Sequence, residues 1–78
     1  MSALDMIKNE MKTLYQTQPR VHVNVSMNNP KVSVVNEQAV IKGVYPHIFR
    51  IEDRCGVSHT MQYNDILTKT IEIIELGY

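Results

Sequence analysis

Four side chains in this sequence could ligate a metal or move a proton near neutral pH: His22, His47, His59 and Cys55. A zinc centre needs three or four such groups converging on one point. No two of the four show the close spacing of a known metal motif, so no metal and no other cofactor is expected. His22 falls on the polar face of a strand and His47 follows a proline at a strand entrance. Both are expected in solvent, with His59 partly buried and hydrogen-bonded. Cys55 stands between Arg54 and Gly56 at a predicted hairpin tip. A nucleophilic cysteine needs a base held by an orienting group, and nothing marks His59, four residues on, as that base. Cys55 is therefore read as a surface thiol. Glu52 and Asp53 are adjacent on a strand, so their carboxylates point to opposite faces and cannot work as an acid/base pair. The three glycines, Gly43, Gly56 and Gly77, are too scattered for a phosphate-cradling loop. With no nucleophile, base and orienter grouped together, the sequence does not read as an enzyme.

A binding surface is the other chemistry to weigh. Arg20, Lys31, Lys42, Arg50 and Arg54, with Tyr45, Phe49 and Tyr63, supply the cations and aromatic rings with which small five-stranded barrels hold single-stranded nucleic acid. Arg20, Lys31 and Lys42 fall on or beside the first hairpin. Against this, eight basic residues are balanced by eight acidic ones, for a net charge of zero. That balance favours a solvated face of mixed charge, with Phe49 and Tyr63 in the core. It also gives no reason to expect attraction to an anionic membrane.

These residues must be positioned by few elements, because 78 residues suffice for one domain, 1–78, and no more. Residues 2–16 read as a helix. Ser2 is placed to cap it, with Asp5 as an imperfect capping-box partner. Leu4, Ile7, Met11 and Leu14 form one apolar stripe, and Gln18-Pro19 ends the run. The period then changes to two. Val21, Val23, Val25 and Met27 alternate with Arg20, His22, Asn24 and Ser26, a strong strand signal over 20–27. Asn28-Asn29-Pro30 reads as a turn. A second strand begins at Lys31, is interrupted at Asn36-Glu37-Gln38 as by a bulge, and resumes over 39–45 with Gly43 as a kink point. A third strand covers 48–52, a hairpin loop Asp53-Arg54-Cys55-Gly56, with Gly56 suited to positive φ. A fourth strand covers 57–63, Asp65 caps a helical turn, and a fifth strand covers 68–75. One helix followed by five short strands over about 20–75 suggests a mainly β fold, a closed or nearly closed small barrel. One cysteine excludes an internal disulfide framework, which fits a reducing cytosol, and no stretch approaches the ~18 apolar residues of a membrane span.

The segments Gly43-Val44-Tyr45-Pro46-His47-Ile48-Phe49-Arg50-Ile51 and Tyr63-Asn64-Asp65-Ile66-Leu67-Thr68-Lys69-Thr70-Ile71-Glu72-Ile73 resemble the Veg family of Gram-positive bacteria. Tyr45, Pro46 and Phe49 match the first motif of that family. Tyr63, Asp65, Leu67, Thr68, Thr70 and Glu72 match the second. The good match covers about the last 35 residues. Family members usually carry a glycine and a basic run in the first hairpin, where this chain has Asn28-Asn29-Pro30-Lys31 and keeps one lysine. The departure weakens any nucleic-acid or acidic-partner contact which that run makes in the family. The resemblance implies a Src-homology-3-like barrel preceded by a helix, no enzymatic activity, and a role in gene regulation and biofilm formation exerted through partners.

The expectation is thus a non-enzymatic, cytoplasmic regulatory or interaction protein that meets a protein partner. An RNA- or DNA-binding module using the first hairpin is the alternative. A homodimer or higher oligomer is a further expectation, with Leu4, Ile7, Met11, Leu14 and outward Ile74 as its candidate interface.

Overall fold

The helix is set at its first residue. The Ser2 hydroxyl accepts the Asp5 N–H at 3.2 Å, and the Asp5 carboxylate accepts the Ser2 N–H at 3.4 Å, completing the reciprocal capping box that the sequence offered. In the computed structural model, which describes residues 2–28 and 31–76, this helix is α1 (Ala3–Thr17). It is followed by β1 (Arg20–Asn28), β2 (Lys31–Val44), β3 (Ile48–Asp53), β4 (Ser58–Gln62), α2 (Asn64–Leu67) and β5 (Ile71–Ile73), with a 3₁₀ turn over Ile74–Leu76. The turn expected at Asn28-Asn29-Pro30 lies largely outside the described residues.

The five strands form one antiparallel sheet in the order β4-β3-β2-β1-β5. Its centre is β2, which pairs with β1 through its first part and with β3 through its last. Two bulges make that double duty geometrically feasible. Val23 lies opposite Glu37 but Val25 opposite Val34, so β2 carries one extra residue there. Asn36 accommodates it in the left-handed region (φ 53°), its N–H bonded to Asn24 Oδ1 at 2.7 Å. A second extra residue falls between Ile41, opposite Ile51, and Gly43, opposite Arg50. Each bulge bends the strand and sharpens its twist. Both sit where the sequence was interrupted, at 36–38 and at Gly43.

The expected closed barrel needs correction. Among the described residues no ladder joins β4 to β5, and the sheet is open. The cause lies in the last strand, predicted over 68–75 and found only over Ile71–Ile73. Lys69 adopts a left-handed conformation (φ 65°) that breaks an extended run on one side, and the 3₁₀ turn ends it on the other. A strand this short pairs with β1 alone.

Inside the curved sheet lie Val21, Val23, Ala39, Ile41, Phe49, Ile51, Ile71 and Ile73, together with Tyr63 and Ile66 from the β4–α2 region. Ile7 and Met11 of α1 complete this core, and Leu4 and Leu14 pack against it. The apolar stripe of the helix is therefore buried on the chain's own sheet, with Ile7 and Met11 inaccessible, while Ile74 is exposed.

Candidate functional site

The two sequence motifs meet in space around Tyr63. Its ring lies 5.5 Å from that of Phe49 at a 40° tilt, and the Lys8 ammonium stands over the ring, 5.6 Å from its centroid. Its hydroxyl donates to the Tyr45 carbonyl at 2.5 Å. Burial pushes the phenol above its usual pKa, favouring the protonated form that donates this bond. Tyr45 in turn donates its N–H to the Ile48 carbonyl at 2.9 Å, closing the turn whose corners are Pro46 and His47. The Tyr45 ring crosses Gly43 so closely that a Cβ there would stand 2.5 Å from the tyrosine hydroxyl. Glycine at 43 thus answers a packing need as well as the bulge, and the Tyr45 ring stays half exposed.

In the second motif Asp65 does not cap α2, whose first turn receives no side-chain bond. Its carboxylate instead accepts the Gln62 N–H at 2.9 Å and pins the exit from β4. The Thr68 and Thr70 hydroxyls lie 3.0 Å apart across the left-handed Lys69, and Leu67 is exposed. Tyr63, Asp65, Thr68 and Thr70 thus shape turns through bonds to backbone or to one another, whereas Glu72 of the same motif accepts from the Asn24 side chain at 3.3 Å.

The candidate cations are dispersed. Arg20, Lys42 and Arg50 are exposed on or beside β1, β2 and β3, and among the described residues none of them is in an ion pair. Register places Arg20 opposite Val40, and Val40 opposite Glu52, so a carboxylate shares that row. A shallow groove of about 350 Å³ runs here, lined by Arg20, His22, Gln38, Val40, Glu52 and Arg54. Arg54 is engaged, its Nε 3.1 Å from Glu37 Oε1. Lys31 is exposed at the start of β2, away from this groove.

A second groove, of about 260 Å³, is apolar. Val25, Met27, Val32, Val34 and Met61 line it, with Asp53 and His59 at its polar margin. No residue of α1 contributes to its walls. The alternation that marks Val32 and Val34 as one face of a strand is what aims them into it.

Two carboxylates, Asp53 and Glu75, take structural roles that the sequence reading did not assign to them. Asp53 Oδ1 accepts the Cys55 and Val57 N–H groups at 2.9 and 3.0 Å, and Oδ2 lies 2.9 Å from His59 Nε2. His59 is thereby held on an exposed strand, not partly buried as predicted. Gly56 takes the positive φ of 84° that this loop requires. The hydrogen bond to His59, aided by the one from Val57, holds the Asp53 carboxyl below its ordinary value of about 3.8. Glu75 grips His22 twice, at the backbone N–H (2.8 Å) and at Nδ1 (2.7 Å). Burial pushes the Glu75 carboxyl up, but the bonds from His22 outweigh it and leave the group below its usual 4.5. An aspartate opening a tight turn is a readable local signal, whereas Glu75 meets a histidine 53 positions away and left none.

Depressed carboxylates bind protons less readily in the folded than in the unfolded state. Their stabilisation is present above the unfolded pKa and is lost as pH falls through the folded one. The thermal midpoint is expected to fall as pH drops from about 5 towards 3. Asp53→Asn, which keeps an oxygen for the two amides, is expected to flatten part of that slope. An unchanged slope would show that the Asp53–His59 contact contributes nothing in solution.

His22, His59 and Cys55 are thus separately placed, and His47 is exposed in its turn. Among the described residues no three His, Cys, Asp or Glu side chains come together as metal ligands. Among the described residues no helix is long and apolar enough to cross a membrane.

A family profile described as "Biofilm formation stimulator VEG" matches residues 2–74, nearly the whole chain. No curated protein and no solved structure matches it.

Proposed function

From the premise that this chain belongs to the Veg family of biofilm formation stimulators, we propose that it is a cytoplasmic regulator of a Gram-positive bacterium that works by holding a protein partner and not by catalysis. The partner contact in this reading is an extended apolar segment seated in the groove between Val25, Met27, Val32, Val34 and Met61. The observation that carries it is that groove: apolar walls left open to solvent in a domain whose remaining apolar stripe is already buried. Apolar concavities of this kind are where binding energy is most readily obtained. Side chains of an extended segment, alternating in direction, match a wall built from one face of a hairpin. We also read the open sheet as Src-homology-3-like. Its strand order, its bent central strand and the helical turn before the last strand support that reading.

The test places a charge in the groove without touching the core. Val34→Asp is expected to abolish stimulation of biofilm in cells lacking the native copy, while far-ultraviolet circular dichroism and the melting curve stay close to those of the unaltered protein. Full stimulation by a folded Val34→Asp protein would remove the groove from the mechanism.

A second reading, single-stranded nucleic acid on the outer face, has its own support in Arg20, Lys42 and Arg50, which are in no ion pair among the described residues, and in the exposed Tyr45 ring. It predicts binding that falls steeply with salt and weakens on Arg50→Glu. No retardation of RNA or single-stranded DNA at low salt would exclude it.

A further inference from the structure

The sheet has open edges, and they are not equally protected. Exposed edge strands pair with other chains unless they are short, bulged, charged or covered. β5 has only three residues and ends in a 3₁₀ turn. The part of β2 not paired to β3 carries Lys31 at its start and the Asn36 bulge near its end. β4 is the least defended: Ser58-His59-Thr60-Met61-Gln62 contains no lysine, arginine, acid, proline or bulge, four of its five residues are exposed, and only its last N–H, at Gln62, is taken by a side chain, that of Asp65.

The direction of its backbone groups follows from two bonds. Asp53 N–H donates to the Val57 carbonyl, and Tyr45 N–H to the Ile48 carbonyl. In an antiparallel ladder mutually bonded pairs alternate with unbonded ones. Stepping along the register, Ile51/His59 and Phe49/Met61 are therefore the bonded pairs between β3 and β4. The N–H and C=O groups of Ser58, Thr60 and Gln62 then point away from the sheet. The Gln62 N–H confirms this direction, being the one that the Asp65 carboxylate takes from outside the ladder. Ser58 and Thr60 keep both backbone groups on the open edge, and Gln62 keeps its carbonyl.

We propose that β4 is a self-association edge, pairing antiparallel with β4 of a second copy of this chain about a twofold axis at Thr60. The strand is complementary to itself in that register. Thr60 faces its own copy, a favourable cross-strand combination, and Ser58 faces Gln62, a pair joined through the Ser58 N–H and the Gln62 carbonyl because the Gln62 N–H stays with Asp65, with no like-charged strand residues opposed. A twofold contact of this kind is isologous and closes at two chains. It joins two five-stranded sheets into one continuous sheet. Val57, 53 % exposed at the end of the edge, is covered by the same step. A five-residue ladder falls short of the roughly 1,200–2,000 Å² of standard interfaces, so the dimer dissociates on dilution.

The apolar groove is lined on β4 by His59 and Met61 and not by Ser58, Thr60 or Gln62, whose backbone groups form the edge, and the proposal does not depend on it. The test is mass in solution followed by register-specific cross-linking. Sedimentation or light scattering is expected to show a mass rising with concentration from 9.0 kDa towards twice that value. Thr60→Pro removes one outward N–H from an edge where proline is tolerated, and Thr60→Lys sets two like charges face to face. Both are expected to weaken dimerisation by at least about tenfold while leaving circular dichroism unchanged. In a Cys55→Ser background, Thr60→Cys is expected to cross-link under mild oxidation, because directly opposed residues lie about 5.5 Å apart, within disulfide reach. Ser58→Cys, distant from its own copy in this register, is expected not to. A chain that stays monomeric at high concentration, a Thr60→Pro protein that dimerises normally, or equal cross-linking at 58 and 60 would each overturn the proposal.

Discussion

Phe49→Ala is expected to cost about 3–5 kcal/mol, a large share of the roughly 4–12 kcal/mol available to a domain of this size. Phe49 is wholly inaccessible. It is the only phenylalanine in the chain, so no equivalent ring can move into the vacancy. Its neighbour Tyr63 spans from the core to the Tyr45 carbonyl. Removing the ring therefore leaves a cavity and also loosens the residue that ties the β2–β3 turn to α2. Urea unfolding should show a much lower midpoint and, if the transition remains two-state, an unaltered slope. A loss under about 1 kcal/mol would mean that the site collapses around the missing ring, which a close-packed core does not readily allow.

Met11→Ala comes next, with about 2–5 kcal/mol expected. Met11 is inaccessible, between the helix and the sheet, whereas Met6 of the same helix is 45 % exposed. Met6→Ala is the control and should change stability by no more than about 0.5 kcal/mol. The pair also separates two homes for the helical stripe. Burial on the chain's own sheet makes the Met11→Ala loss independent of protein concentration. Burial against a second chain would make it vanish on dilution, as the chains separate and the residue loses its contact in both variants. The concentration series at fixed urea decides between them.

Where the sequence was legible, a local pattern set the structure. The capping box at Ser2 and Asp5, the alternation through β1, the interruption at Asn36 and the positive φ at Gly56 all depend on near neighbours in the chain. The shortened fifth strand was not legible. Thr68-Lys69-Thr70 has good strand composition, yet Lys69 turns left-handed, a conformation that composition does not encode for lysine. Closure of the sheet was misread for the same reason, since it depended on the length of that strand. The motif residues Tyr45, Phe49 and Tyr63 stood out as a pattern, but their mutual contact is a property of the fold. The apolar groove was hidden in the same valines that announced the strands. Alternation says which side chains share a face, while the extent of the helix decides which part of that face is covered.

The pairing of β1 with β5 joins Asn24 to Glu72, 48 positions apart, whereas every other ladder joins strands that follow one another directly. Hairpins of successive strands can assemble as soon as each emerges during synthesis, but this last ladder must await a long loop closure. Until then β1 offers a valine-rich flank to whatever else is nearby. A nascent chain of this kind is most vulnerable to mispairing in the interval between translation of Arg20–Asn28 and of Ile71–Ile73.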